Sequence, residues 1–287
     1  MVIPSDRFAF LASTITLFSL SHPFLFMLDR GNWEGLLLPL CWFYVLLYKN
    51  KNKFSWIFLG VAVCIKPQTA LLGVLPILQE DYVSPIKAIL LSIMILSITL
   101  FLIPGPIIAS LISLKAGICF WSMHSSIRFN HTLSNIFPLL IRTHYSTPLG
   151  FFSFLIGILA LLSLWKSRKK LNYTHQALAL ITMMITLVPI SYDYTLIELF
   201  PIVALFIADA LRSPEEGDRL APMLLVLCLI LSPKEEFIGI SPQLPFGIGY
   251  IANAVLLLIL LCLALCGFGG VSAKTMPLHP RTCDSVK

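Results

Sequence analysis

Charge is what this chain has least of. Only 12% of its 287 residues are Asp, Glu, Lys or Arg, about half the share usual in a soluble domain. Mean hydropathy is +0.89. These values exclude an ordinary soluble domain and point to an all-α polytopic membrane protein. Also missing are a Walker-type phosphate loop, a glycine-rich dinucleotide fingerprint, a His-Glu-x-x-His pair and a thiolate zinc set. Their absence argues against a nucleotide-powered pump, a metalloprotease and a soluble-type nucleotide-sugar site. No metal and no cofactor are expected. The seven cysteines contain no Cys-x-x-Cys; six lie in or beside apolar runs, where a thiol behaves as a small buried hydrophobe. The net charge of +6 comes from scattered basic residues and short loops. No basic helix face forms, so nucleic acid is not an expected partner.

What the chain does have is a succession of apolar runs. A helix needs about 20 apolar residues for about 30 Å of hydrocarbon. The candidates are Phe8–Leu28, Ile86–Ile108, Leu149–Leu164, Ala177–Ile190, Leu196–Leu211, Leu220–Leu231 and Ile251–Gly267, with Gly35–Tyr48 shorter but strongly apolar. Met1–Arg7 carries one basic residue and no cleavage signal follows, so Phe8–Leu28 reads as a retained helix. One transmembrane domain over 1–270 is expected, with a cytoplasmic tail over 271–287.

The segment Phe54–Leu78 is interrupted by Lys66-Pro67-Gln68. Two basic loops decide how to read it: Lys49, Lys51 and Lys53, and then Lys166, Arg168, Lys169 and Lys170. Cytoplasmic loops carry the excess of Lys and Arg. Both loops fall inside only if Phe54–Ile65 rises and Gln68–Leu78 returns. Pro67 favours that break, because it removes a backbone donor and disfavours helix at Lys66. The result is about ten membrane segments, including a broken pair at Lys66-Pro67. In this topology Asp29–Glu34, the Lys66 tip, the loop 109–148 and Ser191–Thr195 all face the outer side. Within 109–148, Leu133, Ile136, Phe137 and Leu140 follow helical spacing, as an interfacial amphipathic helix or a packing element would.

The polar residues gathered on that side are the candidate chemistry. Asp29-Arg30-Gly31-Asn32-Trp33-Glu34 puts three charges between two apolar runs. It reads either as a polar turn or as a site for a charged or hydroxylated substrate. Lys66 lies amid apolar residues, where a charge is costly and marks function, unless it snorkels to the interface. Arg30, Lys66, Arg128 and Arg142 are phosphate-binding candidates, the lysine as a point charge and the arginines as forks. Asp193 lies between Tyr192 and Tyr194, placed as a general base, a hydroxyl acceptor or a helix cap. Glu198, one turn later, faces the same pocket in one register. Asn130-His131-Thr132 and Asn172-Tyr173-Thr174 fit the short glycosylation pattern.

Four patches, in order, carry a resemblance. They are Asp29-Arg30-Gly31-Asn32-Trp33-Glu34-Gly35-Leu36-Leu37, then Leu59–Pro67, then Phe129-Asn130-His131-Thr132-Leu133 with Arg142, then Pro189-Ile190-Ser191-Tyr192-Asp193-Tyr194. Together, over roughly residues 22–205, they resemble the membrane glycosyltransferases of family 87 in the GT-C class, which are similar to polyprenyl-phosphate-mannose-dependent mannosyltransferases. The resemblance implies an inverting transfer of a hexose from a polyprenyl-phosphate donor to a lipid or glycan acceptor on the extracytoplasmic face. It implies Asp29 or Asp193 as acid/base, and Arg30, Asn32, Lys66, Arg128, Asn130, Arg142, Tyr192 and Tyr194 as substrate-binding residues. Membrane lipids surround such a protein, in a bacterial plasma membrane ahead of an endoplasmic reticulum. The chain departs from the family twice. The early outer loop that usually carries the catalytic aspartate lies beyond its start, which implies a separate N-terminal half, a fragment or a degenerate copy. The late Asp-His motif reads Asp193-Tyr194. The competing reading is a non-catalytic membrane protein, either a lipid-carrier transporter or an assembly partner. As a sequence expectation, Lys66→Ala abolishes activity with little loss of protein.

Overall fold

Helices account for the regular structure, and no strand occurs among the described residues. The structure is a computed structural model that describes residues 21, 23, 34–102, 105–106, 108–109, 111–113, 115–116, 147–187, 193–203, 205–206, 214–231 and 248–266. Most of the expected first helix Phe8–Leu28, most of the loop 109–148 and the tail 271–287 lie outside the described residues.

The first half is built on a reversal. Helix α1 runs over Glu34–Lys49 and α2 over Ser55–Ile65. At Lys66 the backbone is extended, with φ −144° and ψ 98°, as a residue before proline prefers. A 3-10 turn follows over Pro67–Gly73, then the short α3 over Val74–Leu78. The Lys66 carbonyl, freed by the break, accepts from the Thr69 amide at 2.9 Å and the Thr69 hydroxyl at 2.8 Å. The chain then folds back on α2. A Cβ placed on Gly73 would sit 3.8 Å from the Leu59 side chain and 3.7 Å from that of Pro85. The Tyr44 hydroxyl donates to the Leu72 carbonyl at 3.0 Å, fixing the returning strand of chain to α1.

Helix α4, Val83–Leu102, rises again beside α2. The two meet at Gly60, where an added Cβ would lie 2.9 Å from both the Ala88 carbonyl oxygen and Leu91. The Ser92 hydroxyl donates to Gly60 O at 2.8 Å. Glycine is required here by the close approach. α2, the returning segment and the start of α4 enclose an apolar cavity of about 120 Å³ lined by Leu59, Val63, Val74, Ile77, Pro85 and Ile89.

The second half packs around α6. Helix α5 covers Thr147–Ser167 and α6 covers Tyr173–Thr186. Every residue of α6 from Thr174 to Thr186 is buried. A helix buried all round belongs at the centre, and α6 touches the 3-10 turn after Lys66, a second 3-10 turn over Asp193–Leu199, and helix α8. α7 spans Pro214–Leu231 and α8 spans Ile248–Cys266. Asn172, expected as a glycosylation candidate, caps α6: its Oδ1 accepts from the His175 amide at 2.9 Å.

Both basic loops lie at one end of the molecule. The Tyr173 hydroxyl donates to the Val45 carbonyl at 2.6 Å, and the Tyr48 and Tyr173 rings are 6.3 Å apart. Arg168 comes within 3.9 Å of Glu80, and Gln79 donates to Gln176 at 2.7 Å. The loop after α1, the turn 79–82 and the loop after α5 therefore share an end, and Lys66 points away from it.

Apolar residues fill the core and also cover parts of the surface. Ser55, Thr69, Ser92, Gln176, Thr182 and Thr186 are buried, whereas Ile89, Leu90, Ile93 and Met94 of α4 and Phe154, Leu159 and Leu162 of α5 are exposed. α4 is long and apolar enough to cross a membrane.

Candidate functional site

The break puts a charged side chain at the point where α2 ends and the chain turns back. Lys66 ends α2 in extended conformation, so its side chain leaves the helix axis. Glu198 stands opposite, on the 3-10 turn Asp193–Leu199 that packs on α1 and α6. Lys66 Nζ donates to Glu198 Oε1 at 2.6 Å. The carboxylate side chain is fully buried and the lysine is 16% exposed. A buried carboxylate without a countercharge costs several kcal/mol, so the pair explains why each charge is tolerated.

The depth of this pair follows from its neighbours. Cys64 Sγ lies 3.5 Å from the Ser92 carbonyl oxygen. Ser92 is about 14 Å along α4 from Val83, at about 1.5 Å per residue. Since α4 has 20 residues, Lys66 sits about halfway along it. The sequence places the Lys66-Pro67 tip at the outer boundary. In the structure α2 is only 11 residues long, and the hairpin turns back at mid-length of α4.

Of the other candidates, Asp29, Arg30, Asn32, Arg128, Asn130, Arg142 and Tyr192 lie outside the described residues. For Asp193 and Tyr194 the backbone is described: both open the 3-10 turn that carries Glu198. Lys66 thus meets Glu198, on the turn that Asp193 opens. Glu198 is the residue that sequence reasoning ranked too low. Its signal was the one-turn spacing from Asp193 and a carboxylate set in Leu196–Leu205. Among the described residues no cluster of His, Cys, Asp and Glu is arranged to hold a metal ion.

Chemically, the site offers a largely buried lysine held by a fully buried carboxylate, on a turn whose backbone begins at Asp193. Such a lysine suits an anion as a point charge. No protein-family model, curated protein or solved structure matches the chain.

Proposed function

We propose that the chain is a multi-pass membrane glycosyltransferase of GT-C type, moving a hexose, mannose foremost, from a polyprenyl-phosphate donor to a lipid or glycan acceptor on the extracytoplasmic face. The observation that carries this reading is the Lys66–Glu198 pair at the helix break. In the transfer, the acceptor oxygen attacks the sugar's anomeric carbon as the bond to the lipid phosphate breaks. Asp193 or Asp29 takes the acceptor proton. Lys66, with Arg30 and Arg128, meets the charge that develops on the departing phosphate. Glu198 positions the ammonium and is compensated by it. Asn32, Asn130, Arg142, Tyr192 and Tyr194 contact the sugar and acceptor in this scheme.

The multi-pass placement is supported by the exposed apolar faces of α4 and α5, since apolar patches of this extent mark a lipid or protein contact. It is also supported by the two basic loops at one end, which this reading assigns to the cytoplasm of a bacterial cell. A second reading, a carrier for a charged lipid or solute, is favoured by one observation: a broken segment with a charge at mid-length is how many transporters build their sites.

The deciding assay is sugar transfer by the purified chain in liposomes, with radiolabelled polyprenyl-phosphate-mannose and a lipid extract as acceptor. We expect a labelled product, and a loss of about 100-fold or more in Asp193→Asn, as for removal of a general base. Absence of product, with movement of labelled lipid across the bilayer, establishes the carrier instead.

A further inference from the structure

The end of the molecule opposite Lys66 is cationic. Lys51 and Lys53 after α1, and Lys169 and Lys170 after α5, are all exposed. Lys87 adds an exposed charge at the start of α4. Two carboxylates share the rim. Asp81 is held by the Val83 and Ser84 amides at 3.1 Å and the Ser84 hydroxyl at 2.5 Å. Glu80 lies 3.9 Å from Arg168.

The cations stand where apolar surface ends. The Arg168 guanidinium lies over the Trp165 ring at 4.0 Å, and Trp165 closes the exposed apolar face of α5. Lys53 Nζ lies 5.3 Å over the Phe54 ring, itself half exposed at the foot of α2. An aromatic ring of this kind settles at the boundary between headgroups and hydrocarbon. A cation fixed above it then stands at phosphate level.

We infer that this rim is a binding surface for anionic phospholipid headgroups. The acyl chains lie along the apolar faces of α4 and α5, and the phosphates meet Arg168 and the loop lysines. The inference rests on the multi-pass placement proposed above, but not on sugar transfer. Positive-inside bias alone requires only that cations be present. Here Arg168 and Lys53 lie over exposed aromatics, and the loops that carry the cations are drawn together by the Tyr173–Val45 hydrogen bond and the Arg168–Glu80 contact.

The test is native mass spectrometry of the full chain in neutral detergent, titrated with phosphatidylglycerol and with phosphatidylcholine. Wild type is expected to retain phosphatidylglycerol preferentially. Each of Lys51→Gln, Lys53→Gln, Lys169→Gln and Lys170→Gln should weaken that retention by up to about fivefold, from the ~1 kcal/mol that a basic residue contributes at an anionic surface. Glu80→Gln, at a side chain 67% exposed, should strengthen it. Equal retention of the two lipids by wild type overturns the inference. The membrane placement is read separately, by alkali-resistant insertion into phosphatidylcholine vesicles. A chain washed off those vesicles overturns both, whereas an inserted chain without lipid preference overturns only the headgroup surface.

Discussion

Removing the Lys66 ammonium would take its ion-pair partner from the fully buried Glu198 carboxylate. Breaking one half of a buried pair costs about 3–5 kcal/mol, whereas replacing both partners by apolar residues is often neutral. Thermal unfolding in detergent should therefore show Lys66→Ala strongly destabilised and Lys66→Met/Glu198→Leu close to wild type. The double variant is then the folded protein in which loss of the cation can be judged by activity. This revises the sequence expectation that Lys66→Ala spares protein level. The residue that revises it lies 132 positions away, beyond the reach of any local pattern. At Asp81 the balance is different. Burial pushes its carboxyl up, but hydrogen bonds from the Ser84 hydroxyl and amide, the Val83 amide and the Tyr48 hydroxyl outweigh this and hold it below the usual carboxylate range. Because the folded value is depressed, the stabilisation is complete above the unfolded pKa of about 4. It is lost as pH falls through the folded value. Asp81→Ala should lower stability by about 1 kcal/mol at pH 7, as loss of a helix cap does. Its difference from wild type should shrink below pH 4 in the same melts.

At the level of elements, the crossing at Gly60 is the least forgiving contact. A methyl group there meets the Ala88 carbonyl oxygen, which cannot rotate away. Gly60→Ala should cost about 1–3 kcal/mol, as overpacking does, measured as a lowered midpoint of thermal unfolding. Gly60→Leu should prevent α2 and α4 from docking. The break beside this crossing was legible because its cause is local: Pro67 dictates the conformation of Lys66 whatever surrounds it. The direction of the return was legible from the loop lysines. Its depth was not, because depth is set by which residue of α4 meets Cys64, and hydrophobic runs of any register look alike. Asn172 shows the same limit, since a glycosylation pattern and a helix cap use the same asparagine.

For the whole molecule, the all-helical class was legible from the succession of apolar runs, and the pairing of the two basic loops from their composition. The centrality of α6 was not, because a run that faces lipid and a run that faces protein are equally apolar. The common end of the loops can be checked directly. With the seven native cysteines replaced, Lys51→Cys and Lys169→Cys in sealed vesicles should react with an impermeant maleimide from the same side, and the opposite outcome for either breaks the proposed topology. The mid-length position of Lys66 then has an electrical meaning. In the proposed bilayer placement, an anion arriving at Lys66 from the far side crosses about half of the transmembrane field. At about 2.3 kcal/mol per charge per 100 mV for the full thickness, half the field is worth about 1 kcal/mol. Occupancy of the site becomes a reporter of membrane voltage, and a polarised vesicle binds a charged headgroup there several times more or less tightly than a depolarised one, according to the sign of the potential.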